Sequence, residues 1–383
     1  MATPFRIETP EAVLHDLRER LRRTRWPGQV QGIGWAQGSP LEAVQAMAAY
    51  WLEGYDWRAH EAQLNALPHF RAEVDGQVLH FIHLRSTHAQ ARPLLLQHGW
   101  PGSFYEFVKL LPLLTQPEAH GGTPADAFHV VVPSLPGYTF SPPPAAPGMG
   151  TRRIGGLLHR LMQQELGYAR YGLQGGDWGA VVTSWMAQEQ PQRVLGLHLN
   201  MQGVRAKTGG GAPPLDEAEQ AYLAGARAKF QEDMAYYAIQ GTRPQTLGYG
   251  LTDSPAGLLG WLLEKFRAWT DCGGELENAL TRDEFLTNLT LYWVTGCIAS
   301  STRLYYEHVH SRDDQLPPGA RVETPTGFAN FPGEIFTPPR RWVERAYNVV
   351  RWTDMPRGGH FAAFEQPALL AGDLRAFFAG LPA

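Results

Sequence analysis

The pentapeptide Gly175-Gly176-Asp177-Trp178-Gly179 has the outline of a nucleophile elbow. An apolar run, Tyr168 to Leu173, leads into it, and a helix-length segment beginning near Gly179 leads out. Such a turn forces its apex residue into strained backbone geometry, so the flanking positions must lack bulk. The apex residue is usually Ser, which acylates on a carbonyl substrate. A carboxylate there, Asp177, attacks an electrophilic sp3 carbon and becomes an alkyl ester. A Gly-rich turn with a helix-capping Asp reads the same over five residues, so the assignment depends on partners elsewhere in the chain.

Those partners occur in the chain order nucleophile, acid, His, each just past a strand end. Gly358-Gly359-His360-Phe361 follows a strand ending near Trp352, and His360 is the only His in the last seventy residues. Glu334, in Gly333-Glu334-Ile335, lies between them, and Asp354 falls in the same window. A carboxylate at either place could hold the imidazole in the tautomer that leaves its other nitrogen free as a base. After the first buried strand, His98-Gly99-Trp100-Pro101 forms a tight turn that could aim the Trp100 N–H at a developing oxyanion, with the Trp178 N–H as the second donor. An aromatic residue before Pro raises the chance of a cis bond there.

The elements that would position these groups follow from periodicity. Val78 to Leu84 alternates as a strand does, and Arg92 to Gln97, Phe128 to Val132 and Val194 to Leu199 are short buried runs. Helical segments separate them, over Ser103 to Leu114, Thr151 to Leu166 and the elbow helix to about Gln190. This alternation predicts a mostly parallel sheet with helices on both faces. Thr9 reads as the N-cap of an amphipathic helix. Ser39-Pro40-Leu41-Glu42 reads as a capping box for a helix reaching about Trp57. From about 205 to 320 the pattern is helical without a buried strand, over Ala218 to Ile239, Pro255 to Trp269 and Asp283 to His308. We read this as a cap inserted after the sixth strand, entered at Gly209-Gly210-Gly211. The sheet resumes with Arg321 to Phe328 and Tyr347 to Trp352, and a helix from Gln366 to Phe378 closes the chain.

Composition narrows the functional classes. A chain of 383 residues with a 44% hydrophobic share has ample core, and its 12 Trp suit a bulky apolar cavity. A net charge of −4 with dispersed Lys and Arg points away from nucleic acid and anionic membranes. Cys272 and Cys297 fit no metal site by spacing. The N-terminus has neither an apolar signal region nor a bilayer-length span, so a soluble, cytoplasmic protein is the expectation.

The chain resembles the microsomal-type epoxide hydrolases, the branch that includes the juvenile hormone epoxide hydrolases, almost from end to end. The resemblance rests on Pro4-Phe5-Arg6-Ile7, Arg23-Thr24-Arg25-Trp26-Pro27, His98-Gly99-Trp100-Pro101-Gly102-Ser103, Pro133-Ser134-Leu135-Pro136-Gly137-Tyr138, the elbow, Pro325-Thr326-Gly327-Phe328, and Arg357-Gly358-Gly359-His360-Phe361-Ala362-Ala363. It implies an α/β-hydrolase fold with residues 1–92 as an N-terminal meander, 93–204 and 321–383 as the two parts of the core, and 205–320 as the cap. It also implies an Asp nucleophile, a His base, an acidic orienter and two cap tyrosines that hold the epoxide oxygen. By motif these match Tyr236 and Tyr305; Tyr237 and Tyr306 stand beside them. Two positions depart from the family: Thr139 where Gly is usual, and Met149 where an aromatic is common. The family's membrane-spanning N-terminus is missing. The expected partner is a small epoxide, with no metal, organic cofactor, nucleic acid or membrane; a homo-oligomer stays open. Two rival readings remain. A haloalkane dehalogenase also uses an Asp nucleophile, and the indoles of Trp178 and Trp100 could hold halide. A non-catalytic binder could keep the fold.

Overall fold

The computed structural model describes residues 1–208 and 213–381, so Gly209-Gly210-Gly211 lies outside the described residues. Among the described residues nine strands form one sheet: β1 (Thr3–Pro4), β2 (His69–Val74), β3 (Gln77–Leu84), β4 (Arg92–Gln97), β5 (Phe128–Pro133), β6 (Tyr171–Gly175), β7 (Val194–Leu199), β8 (Val322–Asn330) and β9 (Tyr347–Asp354). Their spatial order is 1-2-3-5-4-6-7-8-9. Pairings from β5 through β4 to β9 are parallel, and those joining β1, β2, β3 and β5 are antiparallel. The middle strands β4, β6 and β7 are buried along most of their length, as strands covered by helices on both faces must be. Side chains alternate between two apolar layers. Leu95 and Leu173 face the layer of the elbow helix, Asp177–Glu189, while Leu94 and Leu96 face Leu374 and Phe377 of the closing helix, Pro367–Ala379. This is the α/β-hydrolase fold.

The N-terminal edge holds more sheet than the sequence reading assigned. β2 and β3 form a hairpin in which Val74 pairs with Gln77 across Asp75-Gly76. Both loop residues have positive φ, 49° and 76°, the geometry a two-residue hairpin needs. The helical segment therefore follows the seventh strand in chain order, not the sixth.

Several helix ends also differ from the sequence reading. The helix Leu41–Glu53 has no Ser39 capping box. Ser39 Oγ donates instead to the Gly260 carbonyl at 2.8 Å, and the Leu41 N–H is met by Gln29 Oε1 at 2.5 Å. A separate helix, Trp57–Leu64, starts at the Asp56 cap. Thr9 does not cap Glu11–Arg22; its hydroxyl accepts from Trp57 Nε1 at 3.0 Å. After Ser103 there is a 3-10 turn, Phe104–Phe107, and then a short helix, Leu111–Thr115. The helix Thr151–Arg160 relaxes into a π turn over Leu161–Glu165.

Between β7 and β8 the described residues form six α-helices: Glu217–Asp233, Ala235–Thr242, Pro244–Asp253, Pro255–Trp269, Arg282–Thr295 and Ile298–Ser311. The expected Asp283–His308 helix is broken at Gly296, whose φ of 62° ends a helix in the left-handed conformation. The expected Ala218–Ile239 helix is broken at Met234. The N-terminal helices are tied to this layer by polar bonds. Trp51 Nε1 donates to Thr290 Oγ1 at 2.9 Å, Tyr50 OH donates to Asp283 Oδ1 at 2.7 Å, and Arg20 pairs with Asp253 at 2.7 Å.

Candidate active site

Asp177 sits at the junction of β6 and the elbow helix with φ 49°, a left-handed conformation that L residues adopt at a cost of about 1–3 kcal/mol. The helix begins at Asp177 itself, two residues earlier than the sequence suggested. Close backbone approach makes this geometry possible. A Cβ on Gly179 would lie 1.9 Å from the Gln97 carbonyl oxygen, and one on Gly99 would lie 2.0 Å from Asp177 Oδ1. The turn after β4 is thus pressed against the elbow. Across it the Trp100 N–H donates to Asp177 Oδ1 at 2.8 Å, and the Trp100–Pro101 bond is cis. The Trp178 N–H belongs to the first turn of the elbow helix, which has no side-chain cap, so it is among the donors that a helix start leaves unpaired.

His360 reaches Asp177 from the other side, with Nε2 at 3.3 Å from Oδ2. Its Nδ1 is 2.7 Å from Glu334 Oε1. A backbone bridge between Gly333 and Gly359 brings these two loops together. The His loop is pinned further. The His360 N–H donates to the Trp269 carbonyl at 2.8 Å, and Glu365 accepts from the N–H groups of Gly359, Phe361 and Asp271. Asp354, the other acidic candidate, is exposed and accepts from Asn330 and Trp352. Burial opposes a charge on His360, but Glu334 and Asp177 outweigh it and hold the imidazole well above its usual value.

The two tyrosines come from adjacent helices, Tyr236 from Ala235–Thr242 and Tyr305 from Ile298–Ser311. Their rings lie 5.9 Å apart, and both pack on the Trp100 ring, at 5.5 and 5.6 Å. With Asp177 and Trp178 they line a cavity of about 720 Å³. Tyr237 lines it too, whereas Tyr306 faces a separate groove beside the Pro-rich loop. Burial first pushes both phenols well above the ordinary tyrosine value, and Asp177 adds to this. They therefore stay protonated donors at neutral pH. Two further donors at the site, Trp100 Nε1 and Trp178 Nε1, are buried without a partner. A larger cavity of about 1030 Å³, between the N-terminal segment and the helical layer, contains none of these residues.

Sequence reasoning missed several groups here. Gln97, Glu106, Gln174 and Asn200 surround the inner side of Asp177, and His308 packs its ring 4.7 Å from Trp178. Gln97, Gln174 and Asn200 stand at or just past strand ends, which is the one signal that could have marked them. Thr139, where the family usually has Gly, has φ 43°, and its hydroxyl bonds Ser134 Oγ at 2.9 Å. The backbone explains the usual Gly. Among the described residues no group of His, Cys, Asp or Glu could hold a metal ion, and no helix is long and apolar enough to cross a membrane.

Comparison with known proteins agrees along the whole chain. Residues 2–107 match the model of the epoxide hydrolase N terminus, and residues 92–270 that of the alpha/beta hydrolase fold. A putative epoxide hydrolase of Stigmatella aurantiaca is 47% identical, covering 100% of this chain and 86% of its own. Epoxide hydrolase 1 of Oryctolagus cuniculus is 37% identical over 98% of this chain and 88% of its own. The crystal structure of juvenile hormone epoxide hydrolase from Bombyx mori superposes with a TM-score of 0.88 at 32% identity, covering 99% of this chain and 94% of that one.

Proposed function

This chain belongs to the epoxide hydrolase family, and we propose that it opens an apolar or aromatic epoxide to a vicinal diol through an ester on Asp177. The observation that carries this reading is that Asp177 lines one cavity of about 720 Å³ with the two phenols while His360 lies 3.3 Å from its carboxylate. Trp100 N–H holds Oδ1, and Oδ2, 3.3 Å from His360 Nε2, is the oxygen that attacks a ring carbon. The carbon–oxygen bond of the epoxide breaks, and the alkoxide takes a proton from Tyr236 or Tyr305. Esterification removes the Asp177 charge, one of the two that hold the His360 imidazole charged, so its proton passes to solvent. In the second step Nε2 accepts a proton from water, and the hydroxide adds to Asp177 Cγ. The oxyanion falls to the N–H groups of Trp100 and Trp178, each such donor being worth roughly 3–4 kcal/mol of barrier. Glu334 orients the imidazole and stabilises its charge. The ester C–O bond then breaks, His360 returns its proton to the departing alkoxide, and the new carboxyl proton restores the phenol. These steps use only the chain's own residues. Tyr222, Phe230, Phe336 and Trp342 in the cavity wall support an apolar or aromatic substrate.

The test is to separate the two steps. His360→Gln removes the base and keeps the nucleophile, so styrene oxide should leave a stable adduct of one substrate per chain on Asp177, seen by mass spectrometry. In a single turnover in heavy-oxygen water the wild-type diol should carry unlabelled oxygen and the enzyme the label. Solvent oxygen in the first-turnover diol would make Asp177 a general base and end the covalent reading. The unpaired indole N–H groups of Trp100 and Trp178 favour one competitor. A chloroalkane is therefore run in parallel, and chloride release without diol formation would point to dehalogenation.

A further inference from the structure

Asp177 is shared by two cavities that otherwise have no lining residue in common. The second is small, about 10 Å³, the size that admits about one water molecule and no epoxide. His360, Glu106, Gln97, Gln174 and Asn200 line it. Its glutamines are built as acceptors. Gln97 Nε2 donates to the Pro133 carbonyl at 3.4 Å, a partner that can only accept and so orients that amide, and Gln174 Nε2 donates to Asn200 Oδ1 at 2.8 Å. Their Oε1 atoms are left buried without a partner, on side chains 0% and 1% exposed. Buried polar atoms in that condition are costly unless something binds them.

We infer that this inner cavity seats the water of the ester-hydrolysis step, and that Glu106 positions it together with Gln97 and Gln174. This rests on the covalent reading above. A water here has His360 Nε2 on one side to take one hydrogen and a glutamine oxygen to take the other, which turns a lone pair toward Asp177 Cγ. Glu106 completes the cradle. Burial pushes its carboxyl up to about 8, with His360 pulling down and Asp177 pushing up, so at neutral pH it is largely protonated. It then offers both a donor and an acceptor and can span the water and a glutamine oxygen. Substrate and water reach Asp177 from separate chambers, so the epoxide does not displace the water it will later need. Glu106 is a positioning residue for the second step and has no part in the first.

The experiment follows both steps with excess enzyme and styrene oxide, by rapid quench and mass spectrometry of the Asp177 peptide. Glu106→Met, which removes both the donor and the acceptor at similar volume, should form the ester at the wild-type rate and lose it roughly tenfold to a hundredfold more slowly. Ester loss at the wild-type rate, or equal slowing of both steps, overturns the proposal. If Glu106→Met does not fold, Gln174→Met removes one acceptor at nearly constant volume and is read by the same two outcomes. The control separates the two levels of argument. If neither the wild type nor His360→Gln shows any ester, the covalent reading itself fails. If the ester appears and decays normally in Glu106→Met, only the role of Glu106 fails.

Discussion

Gly99→Ala should disable the nucleophile without removing any catalytic group. The added Cβ would stand 2.0 Å from Asp177 Oδ1, 2.4 Å from its Cβ and 2.5 Å from its Cγ, where ordinary contact begins at 3.4 Å. The gap to be opened is therefore 3.4 − 2.0 = 1.4 Å. The carboxylate has little freedom to yield, because its backbone is held at φ 49° and both oxygens are engaged, by Trp100 and His360. A misplacement of about 1 Å at a reacting centre costs on the order of 100-fold, so alkylation should slow by at least that factor, about 2.7 kcal/mol of barrier. Overpacking should also cost about 1–3 kcal/mol of stability, which leaves the protein folded. The assay is single-turnover quenching of tryptophan fluorescence, with Trp100 and Trp178 as neighbouring reporters, alongside thermal unfolding. Gly225→Ala is the control. It lies within Glu217–Asp233 with nothing within 4 Å of an added Cβ, and should leave the rate unchanged while stabilising by up to about 1 kcal/mol. A folded Gly99→Ala enzyme that alkylates within about threefold of wild type, under ~0.7 kcal/mol, would refute the steric argument.

Two further outcomes follow from the site. Tyr236→Phe and Tyr305→Phe each delete a donor and little volume, so each should slow ester formation by roughly tenfold or more with unchanged unfolding; normal alkylation in either variant would transfer its role to Tyr237. The pH dependence of stability tests the charge on His360. Its folded pKa is raised above 6.5 by Glu334 and Asp177 against burial, so its contribution is fully present below the unfolded value and is lost as pH rises through the folded one. The melting temperature should decline on that alkaline side, and Glu334→Gln should flatten the decline. Parallel curves for the two proteins would contradict the ion pair.

Local chemistry was the most legible part of the sequence. Asp177, Glu334 and His360 stand just past strand ends in short Gly-rich turns, and the fold brings these turns together. Asp75-Gly76 is a strong hairpin signal, and Phe70, Ala72 and Val74 alternate with Arg71 and Glu73, so β2 is in fact legible as a half-buried strand. What the sequence hid was settled by distant partners. The Ser39 capping box failed because Gln29 and Gly260 compete for the same groups. Glu106 read as part of a continuous helix, and only the packing of the 3-10 turn against β4 and the His loop gives it a place beside Asp177. Tyr236 and Tyr305 came from resemblance, since nothing in helical periodicity distinguishes them from Tyr237 and Tyr306.

The bonds from the first helices to the helical layer bear on how the molecule can come apart. Trp51 and Tyr50 grip Arg282–Thr295, Arg20 grips the end of Pro244–Asp253, and the same N-terminal segment ends in the hairpin that pairs with β5. The layer carrying the phenols is thus stitched to the sheet carrying the aspartate through the N-terminal segment, which supplies that sheet's own edge strands. Lifting one from the other means unpicking a sheet edge as well. Such an arrangement should couple loss of the helical layer to loss of the sheet edge, so their amides should lose hydrogen-exchange protection together.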